Sequence, residues 1–218
     1  MNRSVEAIRT AFPLLRQNYG PQHWWPGDTP WEICTGAVLT QNTSWHNVEK
    51  AIVLLKQAAA LTPQRTLELS LPELERLLQP SGFFRIKAVR LQATARWWLD
   101  QVDRRDRPCR RGRSKVAFRD NLLAVKGIGP ETADSILLYA FGWPFFVIDA
   151  YTRRIAARHL DLPEAAEADY HELQRCFMDA LPRDVQLYNE YHALLVRLAK
   201  EQCRKAICRP ECPLRNLL

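Results

Sequence analysis

Apolar residues recur along most of this chain at the three-to-four-residue spacing of a helix face, not at the alternation of a strand. Val5, Ile8, Phe12 and Leu15 form one stripe, and Leu74, Leu77 and Leu78 form another, on a segment opened by Ser70 with Pro72 in its first turn. The same spacing predicts helices over 51–60 and 88–99. No convincing alternating run is present, so the expected fold class is all-α. Proline and glycine punctuate the pattern at Pro21, Pro26 with Gly27, Pro63, Pro80, Pro108, Gly112, Pro144, Pro163 and Pro182, which predicts short helices and short loops. The chain has no internal repeat and no low-complexity tract.

Composition narrows the partners. A chain of 218 residues, 47% apolar and 25% charged, is long enough for one good core or two small lobes. A net charge of +7 favours a polyanion, and nucleic acid leads because no long apolar segment points to a membrane; simple solubility is the alternative. Residues 104–115 carry six arginines and a lysine with Pro108 and Gly112, and read as a mobile basic loop, either a phosphate contact or a solvated surface. The start, Met1 to Glu6, lacks the apolar core of a signal peptide, which predicts a cytoplasmic protein with reduced cysteines. Cys34, Cys109 and Cys176 are scattered, whereas Cys203, Cys208 and Cys212 crowd into the final sixteen residues.

The stretch Leu123-Ala124-Val125-Lys126-Gly127-Ile128-Gly129-Pro130-Glu131-Thr132-Ala133-Asp134 carries the strongest chemical signal. Two glycines around one apolar residue permit a tight reversal between helices, and Pro130 suits the first turn of the second. A helix N-terminus opening from such a turn directs free backbone N–H groups outward and holds phosphate without reading bases. Twenty residues after Gly129 comes a lone acid, in Phe146-Val147-Ile148-Asp149-Ala150-Tyr151. Asp149 fits either a helix N-cap ahead of Ala150 to Arg154 or a carboxylate that stabilises positive charge at a sugar; one position can serve both.

These residues resemble the helix-hairpin-helix DNA glycosylase superfamily, which contains endonuclease III. The resemblance implies an endonuclease III-like fold of two helical lobes with a DNA-binding cleft between them: residues 22–132 in one lobe, residues 1–21 and 133–218 in the other. It implies Asp149 as the catalytic carboxylate, and contacts to the DNA backbone from Lys126, Gly127, Gly129, Glu131 and Thr132. In the endonuclease III branch a lysine two places after the second hairpin glycine attacks the sugar as an imine-forming nucleophile. Here that place is Glu131, which cannot form an imine, so the expectation is a monofunctional glycosylase that uses water and leaves an abasic site.

The segment Gln22-His23-Trp24-Trp25-Pro26 and the run Gly36-Ala37-Val38-Leu39-Thr40-Gln41-Asn42-Thr43, leading to Trp45, look like the 3-methyladenine glycosylase branch. That likeness implies Trp25 and Trp45, with Trp24, as walls of a base pocket, Gln41 as the wedge that fills the gap left by a flipped base, and Asn42 beside it. Tryptophans such as Trp24, Trp25 and Trp31 are more often core residues than ligand cages, and Trp97, Trp98, Phe141, Trp143, Phe145 and Phe146 are assigned to packing. An alkylated purine is cationic and already a good leaving group, so aromatic sandwiching selects it and no strong general acid is needed. The expected partner is double-stranded DNA containing damaged bases, met by a monomer. Other readings are a glycosylase for oxidised or mismatched bases and a non-catalytic DNA-binding module.

The tail, Cys203-x4-Cys208-x3-Cys212, looks like the superfamily's iron–sulfur loop with shifted spacing. The fourth cysteine place falls on Leu218, so the local ligand set is incomplete. Three readings stand: a 4Fe-4S cluster completed from elsewhere, by His192 or another cysteine; zinc in a Cys3His site; or free thiols with no metal.

Overall fold

The computed structural model describes residues 3–109, 112–204 and 206–217. Arg110 and Arg111 of the basic loop, the start at Met1 and Asn2, and the Leu218 place in the tail therefore lie outside the described residues. Among these residues there are eleven α-helices and no strand, as the periodicity predicts. They divide into two units, Met1–Trp25 with Pro144–Leu218, and Pro26–Trp143.

The second unit contains α2 (Pro30–Leu39), α3 (Trp45–Gln57), α4 (Pro63–Glu68), α5 (Leu71–Leu78), α6 (Phe84–Gln101), α7 (Lys115–Leu123) and α8 (Pro130–Ser135), which runs on as a π-helical segment over Ile136–Ala140. Local rules set most of the starts. Thr29 and Thr62 accept hydrogen bonds from the third residue beyond them and Pro30 and Pro63 follow, while Ser70 and Glu73 form a capping box before α5. The helix expected over 51–60 begins earlier, at Trp45, and ends at Gln57, where Ala59 turns into the left-handed region at φ 50°. The helix expected over 88–99 extends at both ends, from Phe84 to Gln101.

A ring cluster fills this unit. Trp31 meets Trp98 edge-on at 5.2 Å, Trp98 stacks on Phe141 at 5.1 Å, and Phe118 meets Trp143 at 5.1 Å. That cluster, with the packing of Ile136–Ala140 against α2, groups residues 133–143 here and not with the chain ends, while residues 22–25, expected here, group with the chain ends. At the start of the basic loop, the Asp103 carboxylate accepts from the backbone N–H groups of Arg105 and Arg107 and pairs with the Arg107 guanidinium at 3.0 Å.

The first unit contains α1 (Arg3–Tyr19), α9 (Ala150–His159), α10 (Tyr170–Ala180) and α11 (Val185–Glu201). Within α1 the buried face is Ser4, Ala7, Ile8, Ala11 and Leu15; Val5 and Phe12, expected on it, lie at its half-buried margin. Phe146 stacks on Phe177 at 4.5 Å, and the Tyr191 hydroxyl donates to the Ile8 carbonyl at 2.8 Å, fastening α11 to α1. Among the described residues no helix is long and apolar enough to cross a membrane.

Candidate active site

The two helices of the hairpin are α7 and α8. Ile128 is buried, its N–H bonds to the Val125 carbonyl at 3.0 Å, and Gly129 is the N-cap of α8. The two glycines do different work. Gly127 sits at φ 90°, and a Cβ there would come within 2.5 Å of the Arg90 side chain. Gly129 is extended, at φ −91°, and a Cβ there would meet nothing within 4 Å, so the open space in front of α8 is not required by the turn. Lys126, Gly129 and Glu131 are exposed, and Thr132 is buried.

Gln41 stands beneath this turn. Its amide nitrogen donates to the Gly127 carbonyl at 3.2 Å and to Thr132 Oγ1 at 3.1 Å, and its amide oxygen accepts from the Arg90 guanidinium. The side chain expected as a wedge is thus engaged in bracing the hairpin. Asn42, its neighbour, is exposed at φ 54°, a left-handed conformation that asparagine tolerates. Trp45 is half-buried at the start of α3, its indole N–H donating to the Glu49 carboxylate at 2.8 Å. A further brace had no sequence signal: Arg119 on α7 makes a two-pronged pair with Asp134 on α8, at 2.6 and 2.8 Å, and both are buried.

In the other unit Asp149 is the N-cap of α9. One carboxylate oxygen accepts from the Thr152 N–H at 2.6 Å, and the other lies 3.4 Å from His192 Nε2 on α11. Burial pushes the carboxyl up, but the His192 imidazole and the Thr152 hydrogen bonds outweigh it, so the group sits below the usual aspartate value. The Asp149 side chain keeps 13% of its exposure, against 5% for His192. Capping and an accessible ionised carboxylate therefore coexist at one residue.

His192 also meets the Trp24 ring at 5.9 Å, and Trp24 meets Trp25 at 5.9 Å. The tryptophan segment is held in place by the Glu190 carboxylate on α11, which accepts from the backbone N–H groups of Gln22 and His23 at 2.8 and 2.9 Å. Trp25, Trp24, His192 and Asp149 thus form one chain of contacts. His192, one of the candidates to complete the cysteine set, does not join it: its imidazole faces Asp149.

The cysteine set finds a different histidine. His159, at the last residue of α9, places Nε2 3.5 Å from Cys203 Sγ, 3.4 Å from Cys208 Sγ and 3.8 Å from Cys212 Sγ. It lies 44 residues before the nearest of them, beyond the reach of a local spacing motif. Cys34 is buried in α2, Cys109 is half-buried and Cys176 is exposed.

Over residues 35–183 the chain matches the family described as HhH-GPD superfamily base excision DNA repair protein. It is 39% identical over 211 residues to a provisionally named DNA repair glycosylase of Methanocaldococcus jannaschii, spanning 97% of this chain and 95% of that protein. The H. pylori 3-methyladenine DNA glycosylase solved with bound 1,N6-ethenoadenine superposes with a TM-score of 0.71 at 29% identity, covering 91% of this chain and 97% of that one. A non-covalent endonuclease III–DNA complex superposes with a TM-score of 0.78, over 98% of this chain and 94% of that one; at 22% identity that likeness is one of fold. The chain belongs to the HhH-GPD superfamily of base excision DNA repair proteins and has the fold of its endonuclease III-like members.

Proposed function

We propose that this protein is a monofunctional DNA glycosylase that hydrolyses the N-glycosidic bond of flipped-out alkylated purines such as 3-methyladenine. The observation that carries this reading is the contact chain Trp25, Trp24, His192 and Asp149, which joins aromatic surface to an ionised carboxylate. Loss of the base leaves an oxocarbenium-like sugar, and a nearby carboxylate stabilises that charge and orients the attacking water. A cationic N-alkylated base gains about 2 kcal/mol or more from desolvated aromatic faces, and flipping costs less for a damaged base. The likeness to the H. pylori enzyme supports this substrate class.

Double-stranded DNA is held through the hairpin, with the exposed Gly129 end of α8 on phosphate and Lys126 beside it. Gln41 positions the turn, Asn42 is the exposed side chain available to enter the gap left by the flipped base, and Trp45 is a further aromatic contact. Glu131 stands where the imine-forming lysine of the endonuclease III branch stands. An abasic duplex treated with borohydride is therefore expected to yield no covalent adduct, and efficient trapping would overturn the monofunctional reading.

The direct test is to incubate the protein with methylated double-stranded DNA and identify the released bases. Release of 3-methyladenine, with intact strands, is expected. Release confined to oxidised or mismatched pyrimidines would transfer the protein to that substrate class. Tight binding without release of any base would make it a DNA-binding module.

A further inference from the structure

Base excision by this scheme leaves the tail unexplained: three thiols and an imidazole converge there, and hydrolysis uses none of them. Burial is deep for three of the four, with Cys203 at 0%, Cys212 at 5% and His159 at 6% exposure. The ligand atoms of His159, Cys203 and Cys208 all lie within 4.8 Å of one another; Cys212 Sγ is outside that mutual group but 3.8 Å from the His159 imidazole, so it closes in as the fourth ligand when the ion binds. The iron–sulfur cluster implied by the resemblance does not fit this set. Three cysteines converge where it takes four, and in a four-iron cluster each ligand binds its own iron, so the ligand atoms stand farther apart than those sharing one ion.

A single tetrahedral ion fits better. With metal–sulfur bonds of about 2.3 Å and metal–nitrogen bonds of about 2.0–2.1 Å, sulfur and nitrogen on one zinc stand about 3.6 Å apart. The three observed separations, 3.5, 3.4 and 3.8 Å, bracket that value. We infer that His159, Cys203, Cys208 and Cys212 form a closed, structural Cys3His site for one zinc ion.

The surroundings suit such a centre. Three thiolates around a divalent ion leave a net negative charge, and the Arg158 guanidinium lies 3.4 Å from Cys203 Sγ, where it offsets that charge. The His159 ring is also held by a hydrogen bond to the Leu214 backbone, the kind of outer contact that orients ligating histidines. Arg154 donates to the carbonyls of Cys203 and Ala199, and Arg158 to that of Arg204, tying the loop to α9. Four protein ligands leave no open position, so the ion's role is architectural. It clamps the C-terminal end of the helix whose N-cap is Asp149.

The site is read without any activity assay, so its failure and that of the glycosylase reading are separable. The full chain, purified anaerobically without chelator, is expected to be colourless and to carry one zinc per chain by elemental analysis. Stripping the ion lowers the thermal midpoint, and cobalt restores it with the intense visible bands of a tetrahedral cobalt thiolate. Iron with inorganic sulfide and an absorption band near about 400 nm would overturn the inference, as would protein that neither carries nor takes up a stoichiometric ion. His159→Ala weakens zinc binding by more than roughly 100-fold, beyond the loss typical of an outer contact, while His159→Cys keeps one ion and guards against misreading a folding defect. Wild-type affinity in His159→Ala would remove His159 from the ligand set.

Discussion

Asp149→Asn gives a protein that folds and binds DNA yet releases alkylated bases roughly 10²- to 10⁴-fold more slowly. Asparagine caps helices as well as aspartate does. The bond from the Thr152 N–H therefore survives and α9 keeps its start. What the substitution removes is the negative charge on the oxygen that faces His192. Single-turnover excision from methylated duplex, set beside binding to an abasic-site analogue, separates the two effects. An unchanged excision rate would move the chemistry away from this residue.

The same carboxylate sets a pH expectation. Burial raises it, but His192 and Thr152 hold it below the usual aspartate value. A carboxyl depressed by folding contributes stability that is present above the unfolded value and is lost as the pH falls through the lower folded one. Because the working form is the ionised carboxylate and the folded protein holds it below its usual value, the acid limb of kcat/KM is expected below the ordinary aspartate value of about 3.9. A limb at neutral pH that disappears in Asp149→Asn would contradict this environment.

Asp134→Ala costs about 3–5 kcal/mol, because it leaves the Arg119 guanidinium charged, buried and without its carboxylate. The pair joins α7 to α8 through two hydrogen bonds, and Asp134 itself is fully buried. The loss is read from urea or guanidinium unfolding, with Arg119→Met and the double variant completing a cycle. If the pair acts as described, the double variant is much less destabilised than the sum of the singles, since no orphan charge remains. Additive losses would show that the two residues stabilise the hairpin independently. DNA affinity is expected to fall with stability in Asp134→Ala, as the brace holds the end of α8 proposed to meet phosphate.

The difference between the two substitutions follows from where each group sits. Asp149 retains a path to solvent and its hydrogen bonds are satisfied by asparagine, so the change is felt in chemistry. Asp134 has no solvent to turn to, so the change is felt in folding. The metal site falls between them: it touches no reacting group, yet it fixes one end of the helix that presents Asp149.

Local physics made much of this protein legible from its sequence alone. Helical periodicity set the fold class, Ser70 with Pro72 marked the start of α5, and Gly127-Ile128-Gly129 announced a tight hairpin, because these features depend on residues within a few positions of one another. The N-cap at Asp149 was legible for the same reason. Tertiary structure alone decided which distant groups meet. His192 faces Asp149 from α11, His159 meets cysteines more than forty residues away, Arg119 reaches Asp134, and Gln41 turns under the hairpin. None of these pairs leaves a periodic or spaced trace in the sequence. Each exists because burying a polar or charged side chain obliges the fold to supply a partner, and the fold draws that partner from whichever element lies adjacent in space.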